Sequence, residues 1–164
     1  MSSRTRFGDF MYSWVTPAAL FIASKPWLFY LLSFTWGILT TIFGAVIFYF
    51  VRIFMKNQIV SKGPYGTGKY IMFGNNWGGL ECGINILVAD KMGSEFTAHT
   101  MKHELGHTYQ NAVLGPFVII LGFIPSVIRY WYRRIKGSSK TAYDDFWYEG
   151  SATYIGELYF KKEK

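Results

Sequence analysis

The sequence predicts an α+β fold: one transmembrane helix joined to a small domain with a short β-hairpin, a long helix, an apolar hairpin that enters the membrane surface and returns, and a C-terminal helix. Three observations carry this. Residues 27–51 hold no charge, two short β-favouring runs follow at 69–73 and 80–89, and a second uncharged run spans 112–128 between two polar helix patterns. Composition agrees: hydrophobic residues reach 51% and charged residues only 16%, where a soluble domain carries about 25% charged. A net charge of +7 would suit nucleic acid, but the basic residues flank apolar runs and form no stripe. Anionic lipid head groups are therefore the expected partner, and nucleic acid is not. Cys82 is the sole cysteine, so no intrachain disulfide forms and a thiolate metal site has no support.

Residues 1–26 read as an N-terminal interfacial segment. Arg4 and Arg6 precede an apolar stretch that contains Pro17 and ends at Lys25-Pro26, and a longer apolar run follows where a signal peptide would give way to a polar domain. Residues 27–51 read as the transmembrane helix, since at about 1.5 Å per residue they exceed a hydrocarbon core of about 30 Å. Trp27 and Tyr30 at one end, with Tyr49 and Arg52 at the other, suit the two interfaces. Ser33, Gly37, Thr40, Thr41 and Gly44 place small residues at close helical spacing, the pattern of a helix–helix oligomer or of a lone anchor.

Residues 52–164 form the domain. Gly63 to Lys69 nearly matches a phosphate-binding loop, but Tyr70 stands where Ser or Thr is needed and Pro64 removes a backbone donor. A turn-rich connection is expected over 52–69 instead. Lys69–Phe73 and Leu80–Ala89 then pair as a hairpin across the loop at 74–79. Asp90 to Gly93 turns the chain, and Ser94 caps a helix running to about residue 111.

On that helix His103, Glu104 and His107 form an H-E-x-x-H motif. Residues four apart lie one above the other, so both imidazoles reach one metal ion, and Glu104 is placed as general base toward an activated water. Here the chain resembles the zincin metallopeptidases: Thr100, Met101, Leu105, Gly106, Thr108 and Tyr109 fit the uncharged frame of their motif, with Lys102 at its free position. The resemblance implies a zincin-like domain, Zn2+ as cofactor, and peptide-bond hydrolysis with the substrate laid along the edge of the preceding strand. A catalytic zinc needs a third protein ligand. Gln110 and Val113 stand at the metzincin glycine and histidine positions, which excludes that branch, whereas Glu149-Gly-Ser-Ala152 fits the E-x-x-A form of the gluzincins. Glu149 is the expected third ligand, with Asp145 and Asp144 as alternatives. His99 lies about 12 Å along the axis from His107 and is expected beside the site or on the surface. Tyr154 is the expected hydrogen-bond donor to the oxyanion, with Tyr148 and Tyr109 as alternatives.

The run at 112–128 reaches only about 25 Å as a helix, and Gly115-Pro116, Gly122 and Pro125 interrupt it. Were it a full crossing, His103 and Glu149 would face opposite sides of the membrane. A shared ion therefore requires a re-entrant or interface-lying segment, with the bend expected at Gly122 and Pro125. Lys91 and Lys102 before the run, with Arg129, Arg133, Arg134 and Lys136 after it, place both ends toward the cytoplasm. The sequence thus leads to an integral membrane zinc metallopeptidase acting on a peptide or protein substrate. The competing expectation is a membrane-anchored interaction or structural protein with a non-catalytic metal site.

Overall fold

The computed structural model describes residues 5–74, 78–90, 93–137 and 142–162. Arg4, Lys91, Glu163 and the middle of the loop at 74–79 lie outside them. The described residues form six α-helices and one four-stranded sheet, an α+β fold as expected.

Helix α1 (Arg6–Ala23) begins at Thr5, whose Oγ1 accepts a hydrogen bond from the Gly8 N–H at 3.1 Å, a side-chain cap for an otherwise unpaired donor. It buries Met11, Val15, Ala19 and Ile22, spaced three or four apart, and exposes Phe7, Phe10 and Phe21. The chain then turns by 113° into α2 (Pro26–Phe34).

The single transmembrane helix expected over 27–51 is instead two helices, α2 and α3 (Ile38–Phe54). After α2 the Gly37 N–H bonds back to the Leu32 carbonyl at 2.8 Å, closing the turn. The break also lets Trp36 donate from Nε1 to the Val113 carbonyl at 3.2 Å, tying the turn to the rest of the chain. As a result, among the described residues no single helix is long and apolar enough to cross a membrane. Leu39, Ile42, Phe43, Val46, Phe50 and Ile53 nevertheless leave one side of α3 apolar and exposed.

The sheet runs β1-β2-β4-β3, with β1 (Ile59–Tyr65), β2 (Gly68–Phe73), β3 (Gly79–Cys82) and β4 (Asn85–Ala89). β2 lies parallel to β4, pairing Lys69 with Asn85 and Phe73 with Ala89, while β1–β2 and β3–β4 are antiparallel. The hairpin expected between 69–73 and 80–89 is therefore replaced by two others. Gly83, at positive φ, splits the second run into β3 and β4, and the supposed connection supplies β1. There Val60, Lys62 and Pro64 alternate outward, and an edge strand tolerates the missing N–H of proline. β4 is buried along its whole length. On one face Ile86 and Val88 pack with Leu105, Tyr109, Ala19 and Phe29; on the other Leu87 joins Ile71, Phe48 and Val51.

The small residues of α3 are occupied within the chain. A Cβ added at Gly44 would fall 2.0 Å from the Cys82 carbonyl oxygen, Gly83 packs on Thr41, and Thr40 Oγ1 donates to Asn111 Oδ1 at 2.7 Å. The stripe that suggested a helix–helix oligomer is the seat of the β3–β4 turn.

Helix α4 (Ser94–Leu114) carries the histidines and has Gly93, not Ser94, at its cap position. It ends at Gly115, whose φ of +54° is open to glycine, and the chain bends by 112°. A π-helical turn (Ile119–Phe123) leads into α5 (Ile124–Lys136). The bend thus falls within residues 115–118, and Pro125 follows the π-helical turn at the start of α5. Helix α6 (Trp147–Lys162) then crosses α4 with backbones in contact: a Cβ at Gly106 would lie 2.0 Å from the Ala152 carbonyl oxygen, and one at Gly156 would lie 1.9 Å from that of Lys102.

Candidate metal centre

The crossing at Gly106 and Ala152 sets the first turn of α6 opposite the histidine face of α4. Glu149 lies in that turn, 3.0 Å from His103 and 3.3 Å from His107, measured from Oε2 to each Nε2. The two Nε2 atoms are 3.0 Å apart. Among the described residues His103, His107 and Glu149 thus form a group that could hold a metal ion, with Glu149 2% exposed.

The protons on the imidazoles are fixed from behind. Gln110 donates from Nε2 to the Tyr148 carbonyl at 2.8 Å and to Ser151 Oγ, so its Oε1 faces His107 Nδ1 at 2.7 Å and accepts from it. Thr153 Oγ1 donates to Asp144 Oδ2 at 3.4 Å and accepts from His103 Nδ1 at 2.8 Å. With each Nδ1 bonded outward, both Nε2 atoms face the carboxylate oxygen. Two imidazole nitrogens and a carboxylate oxygen thus converge on one point, where a shared proton or a cation joins them. Ligands bound to a tetrahedral zinc at roughly 2.0–2.2 Å lie roughly 3.3–3.6 Å apart, so the observed triangle needs only a small expansion. Two imidazoles and a carboxylate suit a divalent transition-metal ion, zinc and iron(II) included.

Without an ion the three groups lean on one another. Burial would lower His107, but the adjacent Glu149 outweighs it and raises the imidazole. Burial would raise Glu149, and the two histidines hold it below the ordinary carboxylate range instead. Glu104 is raised, chiefly by burial. Its carboxylate lies under the edge strand, where a Cβ on Gly79 would fall 2.4 Å from Oε1.

These residues open on a cavity of about 850 Å³. Gly79 and Leu80 of β3 form one wall, Phe123, Val127 and Trp131 another, and His99 and Tyr143 also line it. His99 is exposed, its ring 6.4 Å from that of His103, and it is not one of the ligand group. Asp144 receives Thr153, and Asp145 Oδ2 accepts the Ala142 N–H at 3.1 Å, so the alternative ligands are engaged elsewhere.

Tyr154, the expected oxyanion donor, lies outside the cavity lining and is 45% exposed. Tyr109 is buried and receives a hydrogen bond from Thr67 at 3.0 Å, on the sheet side of α4. Tyr148 stacks on His107 at 4.3 Å between ring centroids. Tyr143, absent from the sequence expectations, lines the cavity with its OH 3.1 Å from Ser126 Oγ, and burial followed by Glu149 keeps its phenol protonated well above neutral pH. Glu81, likewise unforeseen, is buried on β3 and accepts from Asn111 Nδ2 at 3.0 Å. Compared with protein-family models, with curated proteins and with solved structures, the chain matches none.

Proposed function

We propose that the chain is a membrane-associated zinc metallopeptidase of gluzincin type, with His103, His107 and Glu149 as metal ligands and Glu104 as general base. The observation that carries this is the meeting of two imidazole Nε2 atoms and a carboxylate oxygen within 3.3 Å on an H-E-x-x-H helix. A bound zinc ion supplies Lewis acidity, polarising a substrate carbonyl and acidifying water. Glu104 takes the proton of the attacking water on its carboxylate and returns it to the leaving amine. The edge of β3 beside Glu104 holds an extended peptide by main-chain hydrogen bonds. Tyr143 replaces Tyr154 as the donor to the developing oxyanion, exchanging its bond to Ser126 Oγ for one to substrate in the same cavity.

Membrane association is supported by the exposed apolar sides of α1, α3 and α5, where Phe10, Val46 and Ile128 are among the exposed residues. Arg129, Arg133, Arg134 and Lys136 along α5 favour the cytoplasmic face. The bend within residues 115–118 keeps Glu149 and the histidines on one side, as a shared ion requires.

Glu104→Gln tests the function. The variant is expected to retain stoichiometric zinc and lose turnover of a peptide substrate by about 10²–10⁴-fold. Retained turnover would reject Glu104 as base. An unchanged biological phenotype with zinc intact would favour the anchored structural protein.

A further inference from the structure

Helix α5 is seated on the metal centre at two points. Gly122, in the π-helical turn before it, lies against Tyr148, where a Cβ would fall 2.4 Å from Cε2, and Tyr148 itself stacks on His107. One turn on, Ser126 Oγ donates to Glu149 Oε1 and lies 3.1 Å from the Tyr143 OH. The other carboxylate oxygen, Oε2, is the one that faces both histidines.

We infer that Ser126 is the positioning residue of the third ligand, delivered by α5, so that this cavity wall and the metal site are built together. This rests on the metal reading above and deepens it. The hydroxyl occupies Oε1, which leaves Glu149 to offer a single oxygen to the ion, and it fixes the carboxylate plane toward the histidines. Pro125 aids this, since its fixed φ sets the backbone just before Ser126. The same helix carries the apolar residues Phe123, Val127 and Trp131 of the cavity wall. A displacement of α5 therefore removes a cavity wall and a partner of the ligand together.

The test uses the full-length protein in detergent, with zinc affinity read by chelator competition and with a cobalt(II) absorption spectrum as a second readout. Ser126→Thr keeps the hydroxyl and Ser126→Val matches Thr in shape without it, which holds the comparison even where Ser126→Ala disturbs α5. We expect Thr to stay within a few-fold of the wild type and Val to lose zinc affinity by about 10–100-fold, with an altered cobalt spectrum. Equal affinities for Thr and Val would overturn the assignment while leaving the metal site in place. A wild-type protein that binds no zinc would overturn the metal reading, and this inference with it.

Discussion

His103 and His107 are held in place by hydrogen bonds to their outer nitrogens, which aim both Nε2 atoms at Glu149. Gln110 and Thr153 bond the outer nitrogens at 2.7 and 2.8 Å, which sets the tautomers. The H-E-x-x-H spacing made the histidines and Glu104 legible in the sequence, and the scarcity of downstream acids led to Glu149. The cavity-lining tyrosine was not legible, because residue type says nothing of which side of an element faces the cavity: Tyr143 lines it and Tyr154 does not. Tyr143→Phe should lower kcat by about 10²-fold or more with little change in KM, and an equal loss in Tyr154→Phe would reverse that assignment. Glu81 gives a pH prediction. Burial, aided by the nearby Glu104, raises it well above the ordinary carboxylate range and outweighs the bond from Asn111. A raised acid binds more protons folded than unfolded, so the stability it contributes is present at low pH and is lost as pH climbs toward the folded-state value. Thermal melting in detergent should show Glu81→Gln equal to wild type near pH 4 and more stable near pH 8, and parallel profiles would exclude the effect.

At the level of elements, the α4–α6 crossing places the ligands. Gly106, between Leu105 and His107, admits the Ala152 carbonyl, so the motif glycine serves packing as well as the metal. Gly106→Ala should cost about 1–3 kcal/mol by overpacking and weaken zinc binding with it, as melting and chelator competition would report; a variant with both properties intact would remove the crossing from the account. The length of α4 and the existence of α6 followed from residue patterns. The sheet did not, because β2 and β4 pair in parallel and nothing local in either run encodes a partner across an intervening strand. The uncharged run 27–51 misled for a related reason. Charge absence measures what surrounds a segment, whereas the turn at Thr35–Gly37 is accompanied by Trp36 donating to the Val113 carbonyl, a contact distant in sequence.

For the whole molecule, the site is assembled from β3, α4, α5 and α6, so its integrity depends on 112–128 bending back. Single cysteines placed near residues 95 and 140 should react with an impermeant thiol reagent from the same side of the membrane, and labelling from opposite sides would separate His103 from Glu149. The apolar exposure of α3 also predicts that the protein sediments with membranes and needs detergent for extraction, which carbonate washing checks. The central claim is that Glu149 completes a zinc site with His103 and His107. Metal analysis of purified wild type, Glu149→Ala and Asp145→Ala tests it most directly. The account predicts one zinc per chain in wild type and Asp145→Ala and a loss in Glu149→Ala, whereas undiminished zinc in Glu149→Ala, or none in wild type, would contradict it.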